Sequence, residues 1–195
     1  PEGDALPNAG GIAWKLVFCD TFDRTRVGSG WTCQSPGWMP QSLIIRDQAL
    51  ASEAGWGFIT FGHMMAPPVR VEFVLRVAKR LLAGVYLCPQ GLEWRNFWGE
   101  PKGRGYCLSL GWHDAKNNRV LRDTETVLLD EKGLQLEAGR QYHVTAQFVP
   151  PLCQLFVDGK PALEYRDAQF LTGLDRLGVF TLGGDAFDNV RIYAP

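Results

Sequence analysis

The sequence predicts an all-β domain, a two-sheet antiparallel sandwich. Apolar and polar residues alternate with a period of two over many short runs, and no run shows helical periodicity. The runs break at Gly, Pro and Asp, the residues that turns favour. A length of 195 residues suits one large β domain, 1–195, better than two small ones, with 1–13 as an N-terminal extension.

The first strand is expected at 14–19, running into an acidic and aromatic cluster, Phe18-Cys19-Asp20-Thr21-Phe22-Asp23. Strands at 42–46 and 56–61 follow. Val69–Val77 is the clearest, with Val69, Val71, Phe73, Leu75 and Val77 on one face and Arg70, Glu72 and Arg76 opposite. Strands are also expected at 83–88, 106–112, 118–122 and 126–129. Between the first two of these lies 89–103, rich in Gly, Pro, Trp and charge; a loop of that length in a compact domain tends to be functional or mobile. In Gln141–Val149, Tyr142, Val144, Ala146 and Phe148 alternate with His143, Thr145 and Gln147. Strands at 153–157 and 162–165 flank Asp158-Gly159, a strong hairpin signal because the turn wants positive φ at its central residues. After 177–182, the closing strand 184–193 carries Asp188, which a period of two places on the face of Val190 and Ile192. A carboxylate there is costly unless hydrogen bonds or a cation neutralise it. Acidic clusters near both termini predict that the first and last strands lie side by side.

Composition narrows the function classes. Hydrophobic residues make up 46% and charged ones 21%, with a formal net charge of −1. No basic stripe invites nucleic acid or an anionic membrane surface. No apolar stretch of about 18 residues spans a membrane. The opening Pro1-Glu2-Gly3-Asp4 has neither Met nor an apolar signal core, which reads as a processed or trimmed product, with further domains of a larger polypeptide among its potential partners. Five cysteines, with no Cys-x-x-Cys spacing, read as free thiols in preference to a disulfide; Cys19 and Cys33 are the pair loosely placed for a bridge.

Several short motifs together resemble a known family. They are Phe18-x-Asp20-x-Phe22-Asp23, Trp31, Gly105-Tyr106-Cys107-Leu108-x-Leu110-Gly111, Leu136-x-x-Gly139-x-x-Tyr142-x-Val144, Leu155-x-Val157-Asp158-Gly159, Gly178-Val179 and Phe187-Asp188-Asn189-Val190-Arg191-Ile192. In this order, over about residues 14–193, they resemble the concanavalin A-like lectin/glucanase superfamily, with the flavour of 3-keto-glycoside hydrolase-like and laminin-G-like domains. The resemblance implies a jelly-roll sandwich and a secreted bacterial setting, extracellular or periplasmic. A fold match carries no reaction with it.

The resemblance also implies where to look for sites. In carbohydrate-active members a structural calcium sits beside the first and last strands, where Asp20, Asp23 and Asp188 fall here; carboxylates and carbonyls suit Ca²⁺. The alternative is that Asp188 caps backbone amides at a bulge and Asp23 forms an Asx-turn. Glucanases of the superfamily carry their paired carboxylates on a Glu-x-Asp-x-x-Glu strand. That spacing is absent here, and the matching strand offers Cys107, Ser109 and Gly111, followed by His113 and Asp114. The sequence therefore leans away from an enzyme.

Sugar binding has the better sequence support. Seven Trp exceed the ordinary needs of a core, and Trp94 and Trp98 sit in the polar loop with Glu93 and Arg95. Aromatic rings stack on the C–H faces of sugars, and charged groups hold their hydroxyls. Ser109 and Gly111 would leave a groove that Arg70, Glu72, Arg76, His143 and Gln147 flank if their strands share that sheet. His113, beside Asp114 at the strand end, is a further candidate that reads as a turn residue or as part of an acid–base pair. The sequence reading is a carbohydrate-binding, lectin-like module with a glycan partner. A 3-keto-glycoside hydrolase-like enzyme and a structural packing domain are the alternatives.

Overall fold

A computed structural model describes residues 11–34, 43–53, 56–78, 82–89, 105–111, 117–122, 126–132 and 134–195. Two antiparallel sheets face each other, and the described residues form no α-helix. In chain order the strands are β1 (Lys15–Asp20), β2 (Trp31–Gln34), β3 (Leu43–Arg46), β4 (Ala49–Ser52), β5 (Trp56–Phe61), β6 (Val69–Arg76), β7 (Ala83–Cys88) and β8 (Tyr106–Gly111). They continue as β9 (Asn117–Arg122), β10 (Thr126–Lys132), β11 (Gln141–Val149), β12 (Leu152–Val157), β13 (Lys160–Arg166), β14 (Arg176–Leu182) and β15 (Ala186–Ala194).

The eight-stranded sheet runs β13-β12-β11-β6-β15-β4-β3, with β1 also paired to β15. The seven-stranded sheet runs β10-β9-β8-β7-β14-β5-β2. The first and last strands are neighbours as expected, Asp20 lying opposite Val190.

The core is the meeting of the two inner faces. Val69, Val71, Phe73 and Leu75 of β6 are buried while Arg70, Glu72 and Arg76 turn outward, as the period of two requires. Val85, Leu87, Tyr106, Leu108, Val179 and Ile59 meet them from the other sheet. Phe73 and Phe187 pack edge to face at 5.0 Å between ring centres.

Two strands, β2 and β4, are additional to those read from the sequence. β4 is Ala49-Leu50-Ala51-Ser52, a composition with little intrinsic strand preference. Pairing with β3 on one side and β15 on the other makes it a strand. Its hairpin turns through Asp47 and Gln48, with φ of 51° and 56° and no glycine. The turn at Asp158-Gly159 has the expected positive φ at both residues, 48° and 75°.

Candidate functional site

The outer face of the seven-stranded sheet carries Ser109 and Gly111 of β8, the small residues expected to leave a groove. Cys107 and Ser109 of β8 do point outward there, but among the described residues the face is paved, not grooved. Tyr86 of β7 lies opposite Gly178 of β14, and Phe180 of β14 lies opposite Gly84 of β7. A Cβ at Gly178 would come within 2.1 Å of the Tyr86 ring and hydroxyl, and one at Gly84 within 2.7 Å of the Phe180 ring. Each glycine thus gives an aromatic ring the room to lie on the sheet. Phe58 packs tilted on Phe180 at 5.9 Å, and Cys107, Leu121, Leu82 and Cys88 complete a second apolar cluster. The Tyr86 hydroxyl shares a 2.6 Å hydrogen bond with Thr60 and donates to the Ile59 carbonyl at 3.2 Å. All these side chains are buried, Ser109 included. The polar end of the face is at β9 and β10, where Arg119 pairs with Asp130 at 2.7 Å and Asn117 donates to the same carboxylate at 2.7 Å.

The loop residues Glu93, Trp94, Arg95 and Trp98, together with His113, lie outside the described residues. The flanking set sits on the other sheet. Arg70, Glu72 and Arg76 belong to β6 and His143 and Gln147 to β11, so they face outward from the eight-stranded sheet and share no groove with Ser109. Period alone gives the face of a strand but not the sheet it joins. Arg70 pairs with Glu72 and lies 5.5 Å over the Tyr193 ring, whose hydroxyl donates to Glu72 at 2.9 Å. His143 is exposed near the start of β11, its backbone N–H bonded to Asp158 of the β12–β13 turn at 2.9 Å. Gln147 is fully buried.

The three carboxylates considered for calcium do not share a shell. Asp20 accepts both guanidinium nitrogens of Arg24, at 2.6 and 2.5 Å, the Trp31 indole N–H at 2.7 Å and the Phe22 amide at 2.9 Å. Burial pushes this carboxyl up, but those hydrogen bonds and the Arg24 charge outweigh it and hold it below the ordinary range. Asp23 accepts the Thr21 hydroxyl at 2.7 Å. Asp188 is ion-paired with Arg76 and caps the Asn189 amide at 2.7 Å.

Asp188 also faces away from Val190 and Ile192, which corrects the sequence expectation. The β15–β6 register gains one residue between Asp188 and Arg191, and Asn189 has φ of 51°. This bulge turns Asp188 outward while Phe187 and Val190 both stay in the core. Among the described residues no group of three or more His, Cys, Asp or Glu gathers as metal ligands. Asp20, Asp23 and Asp188 therefore do not fit a shared calcium site: an arginine and an amide take the oxygens of Asp20 and of Asp188, and Asp23 is bonded to the Thr21 hydroxyl. Cys19 carries a free thiol, as do Cys88, Cys107 and Cys153. Burial pushes the Cys88 thiol up to about 12, so it is inert at neutral pH.

Two buried acidic sites are not apparent in the sequence. Asp167, after β13, accepts the Tyr106 hydroxyl at 2.6 Å, Arg122 at 3.0 Å and the Gln169 amide at 2.9 Å, joining β8 and β9 to the opposite sheet. Burial raises its carboxyl, and these three donors more than offset that, leaving it below the ordinary range. Its partners are 45 and 61 residues away, beyond any local spacing. Asp185, in the β14–β15 turn, accepts the Ala78 amide at 2.8 Å, and its backbone carbonyl accepts Ser52 N–H at 3.3 Å. Burial outweighs its amide bonds and pushes its carboxyl up to about 6. The signal for it was the Gly183-Gly184-Asp185 turn, which a strand reading starting at 184 absorbs.

A pocket of about 150 Å³ opens on the outer face of the eight-stranded sheet, beside Arg76. Its floor is Ala49, Ala51 and Ala186, and Arg46 and Asp47 form its lip.

No protein-family model matches the chain, and no curated protein matches it. Solved structures do. The carbohydrate recognition domain of Emp47p superposes with a TM-score of 0.67 at 12% identity, over 92% of this chain and 96% of that one. The carbohydrate binding module CBM66 from Bacillus subtilis gives 0.59 at 12% identity, over 85% and 96%. An endo-β-1,3-glucanase from Pyrococcus furiosus gives 0.65 at 14% identity, over 93% and 94%. Likeness at these identities establishes the fold, a concanavalin A-like jelly-roll sandwich.

Proposed function

We propose that the chain is a non-catalytic carbohydrate-binding module of lectin type, working outside a bacterial cell. The observation that carries this is the outward side of β8 within a fold similar to two carbohydrate-binding domains and one glucanase. A glycosidase needs two carboxyl groups about 5–10 Å apart across the scissile bond. β8 instead offers Cys107, Ser109 and Gly111, and its neighbour β7 offers Gly84, Tyr86 and Cys88. A thiol with a strongly raised pKa and a buried serine hydroxyl supply no acid–base pair.

The proposed grip on the glycan is the rim formed by Trp94 and Trp98, with Glu93 and Arg95 beside them. The grip is independent of metal, because Asp20 and Asp188 are neutralised by Arg24 and Arg76. A glycan-array screen run in calcium and again in chelator tests both statements. Binding to at least one glycan is expected, with equal signal in the two buffers. A blank array removes the proposal, and binding that vanishes in chelator removes its metal-independent form. Cleavage of any bound glycan on prolonged incubation would favour the hydrolase.

A further inference from the structure

We propose that the pocket beside Arg76 is a second binding site, taking a single uncharged sugar ring on the outer face of the eight-stranded sheet. This goes beyond the rim reading, and the two fail separately.

The pocket exists because of residue size. Across β4, β15 and β6 the outward residues Ala51, Ala186 and Arg76 stand in one row, Ala51 opposite Ala186 and Ala186 opposite Arg76. Ala49, one outward position along β4, lies opposite Arg46 of β3. Methyl side chains thus lie between long ones, and the sheet surface is dented there by about 150 Å³. Drug-sized ligands fill pockets of roughly 300–1,000 Å³, so this one suits a single ring and not a chain.

Its chemistry is of three kinds, each matched to part of a pyranose. The apolar surface a ring can reach is the exposed Ala78 and the edge of Ala186, above the buried Ala49 and Ala51, and it suits the C–H face of a ring. Arg76 is a wall donor that cannot swing away: Asp188 holds one nitrogen, and the Asp47 carbonyl accepts another at 2.9 Å. A donor fixed in this way loses little entropy when a hydroxyl binds to it. Asp47 and the exposed Arg46 at the lip add an acceptor and a donor. Arg76 is ion-paired with Asp188, and with Asp47 at the lip and Asp185 behind Ala78 the described residues around the pocket carry at least as many carboxylates as guanidinium groups. The balance of charge argues against an anion and for a neutral polyhydroxy ligand.

The test is protein-observed NMR on the whole chain. The probes are neutral methyl glycosides (glucoside, galactoside, mannoside, fucoside), with sodium acetate and sodium sulfate as anion probes. At least one glycoside is expected to shift the amides of Ala51, Gly184 and Ala186. Ala51→Leu fills the dent and is expected to weaken that response at least tenfold, with the remaining spectrum unchanged. Arg76→Lys keeps the charge but not the planar, doubly held geometry, and is expected to weaken it several-fold. Trp94→Ala and Trp98→Ala should leave it intact. Silence toward every glycoside, a response to the anions alone, or loss in Trp94→Ala would each overturn the proposal. A blank glycan array with a responsive pocket removes the rim reading only; a positive array with a silent pocket removes this one only.

Discussion

Asp185 is a buried carboxylate with backbone amides for partners and, among the described residues, no ion pair, unlike Asp20, Asp167 and Asp188. Its folded pKa of about 6 lies above the unfolded value of about 3.9. A group raised in this way contributes stability that is fully present below the unfolded pKa and is lost as pH rises through the folded one. Asp185→Asn keeps an oxygen for the Ala78 amide but does not titrate. Stability of the wild type relative to this variant is therefore expected to fall between about pH 4 and pH 6.5, by on the order of 2 kcal/mol. Denaturant titrations of both proteins across that range check it; parallel profiles would refute the assignment. Asp20 and Asp167 act with the opposite sign, losing their stabilising effect as pH falls below the ordinary carboxylate range, so the whole-protein curve alone is not diagnostic. At this scale the sequence was half legible. The expectation that Asp188 needs a neutralising partner rested on a core-facing placement; it does pair with Arg76, but its direction is set by one extra residue at Asn189, which no periodicity reveals.

At the scale of strands, cross-strand pairs decide both the fold and the character of the candidate face. Gly178 and Tyr86 are directly opposite, with no room for a Cβ between them. Gly178→Ala is expected to destabilise by about 1–3 kcal/mol, the usual cost of overpacking. In the Tyr86→Ala background, where the ring is absent, the same change should cost much less. A double-mutant cycle by chemical denaturation measures that coupling, and additive effects would show that the ring and the glycine are independent. The β3–β4 turn gives a second test. Gln48 holds φ of 56° without being glycine, a conformation costing roughly 1–2 kcal/mol for an L-residue. Gln48→Gly is expected to raise stability by about 0.5–1 kcal/mol after the larger unfolded-state entropy of glycine is offset; a lower midpoint would contradict it. The same turn explains why β4 was illegible. Asp47-Gln48 lacks the glycine that made Asp158-Gly159 readable, and Ala49–Ser52 is a strand by virtue of its neighbours. The 126–129 strand, by contrast, was expected but extends to Lys132, through residues whose strand state comes from pairing with β9.

For the molecule as a whole, topology assigned the polar residues of β6 and β11 to a different sheet from Ser109, so two distant faces compete as binding surfaces. Which strands share a sheet depends on long-range pairing, and that is why a groove assembled from Arg70, Glu72, Arg76 and His143 around β8 could be imagined from sequence but is not formed. The fold class itself was legible, because alternation and turn chemistry repeat along the whole chain. The rim proposal rests on residue type in the 89–103 segment and makes a sharp energetic demand. If Trp94 and Trp98 stack on a glycan, each contributes on the order of 1 kcal/mol beyond area burial, by analogy with aromatic pairs. Trp94→Ala and Trp98→Ala should each weaken glycan binding several-fold while leaving the unfolding midpoint nearly unchanged. Trp31 provides the internal comparison: it is buried against Phe18, Phe22 and Phe61, and its indole N–H bonds Asp20. Trp31→Ala is expected to cost about 3–5 kcal/mol, the range for an aromatic removed from a core. One denaturation curve and one binding titration per variant separate the two behaviours. Stability losses at Trp94 and Trp98 as large as that at Trp31 would make both packing residues, and the rim would lose its aromatic contacts.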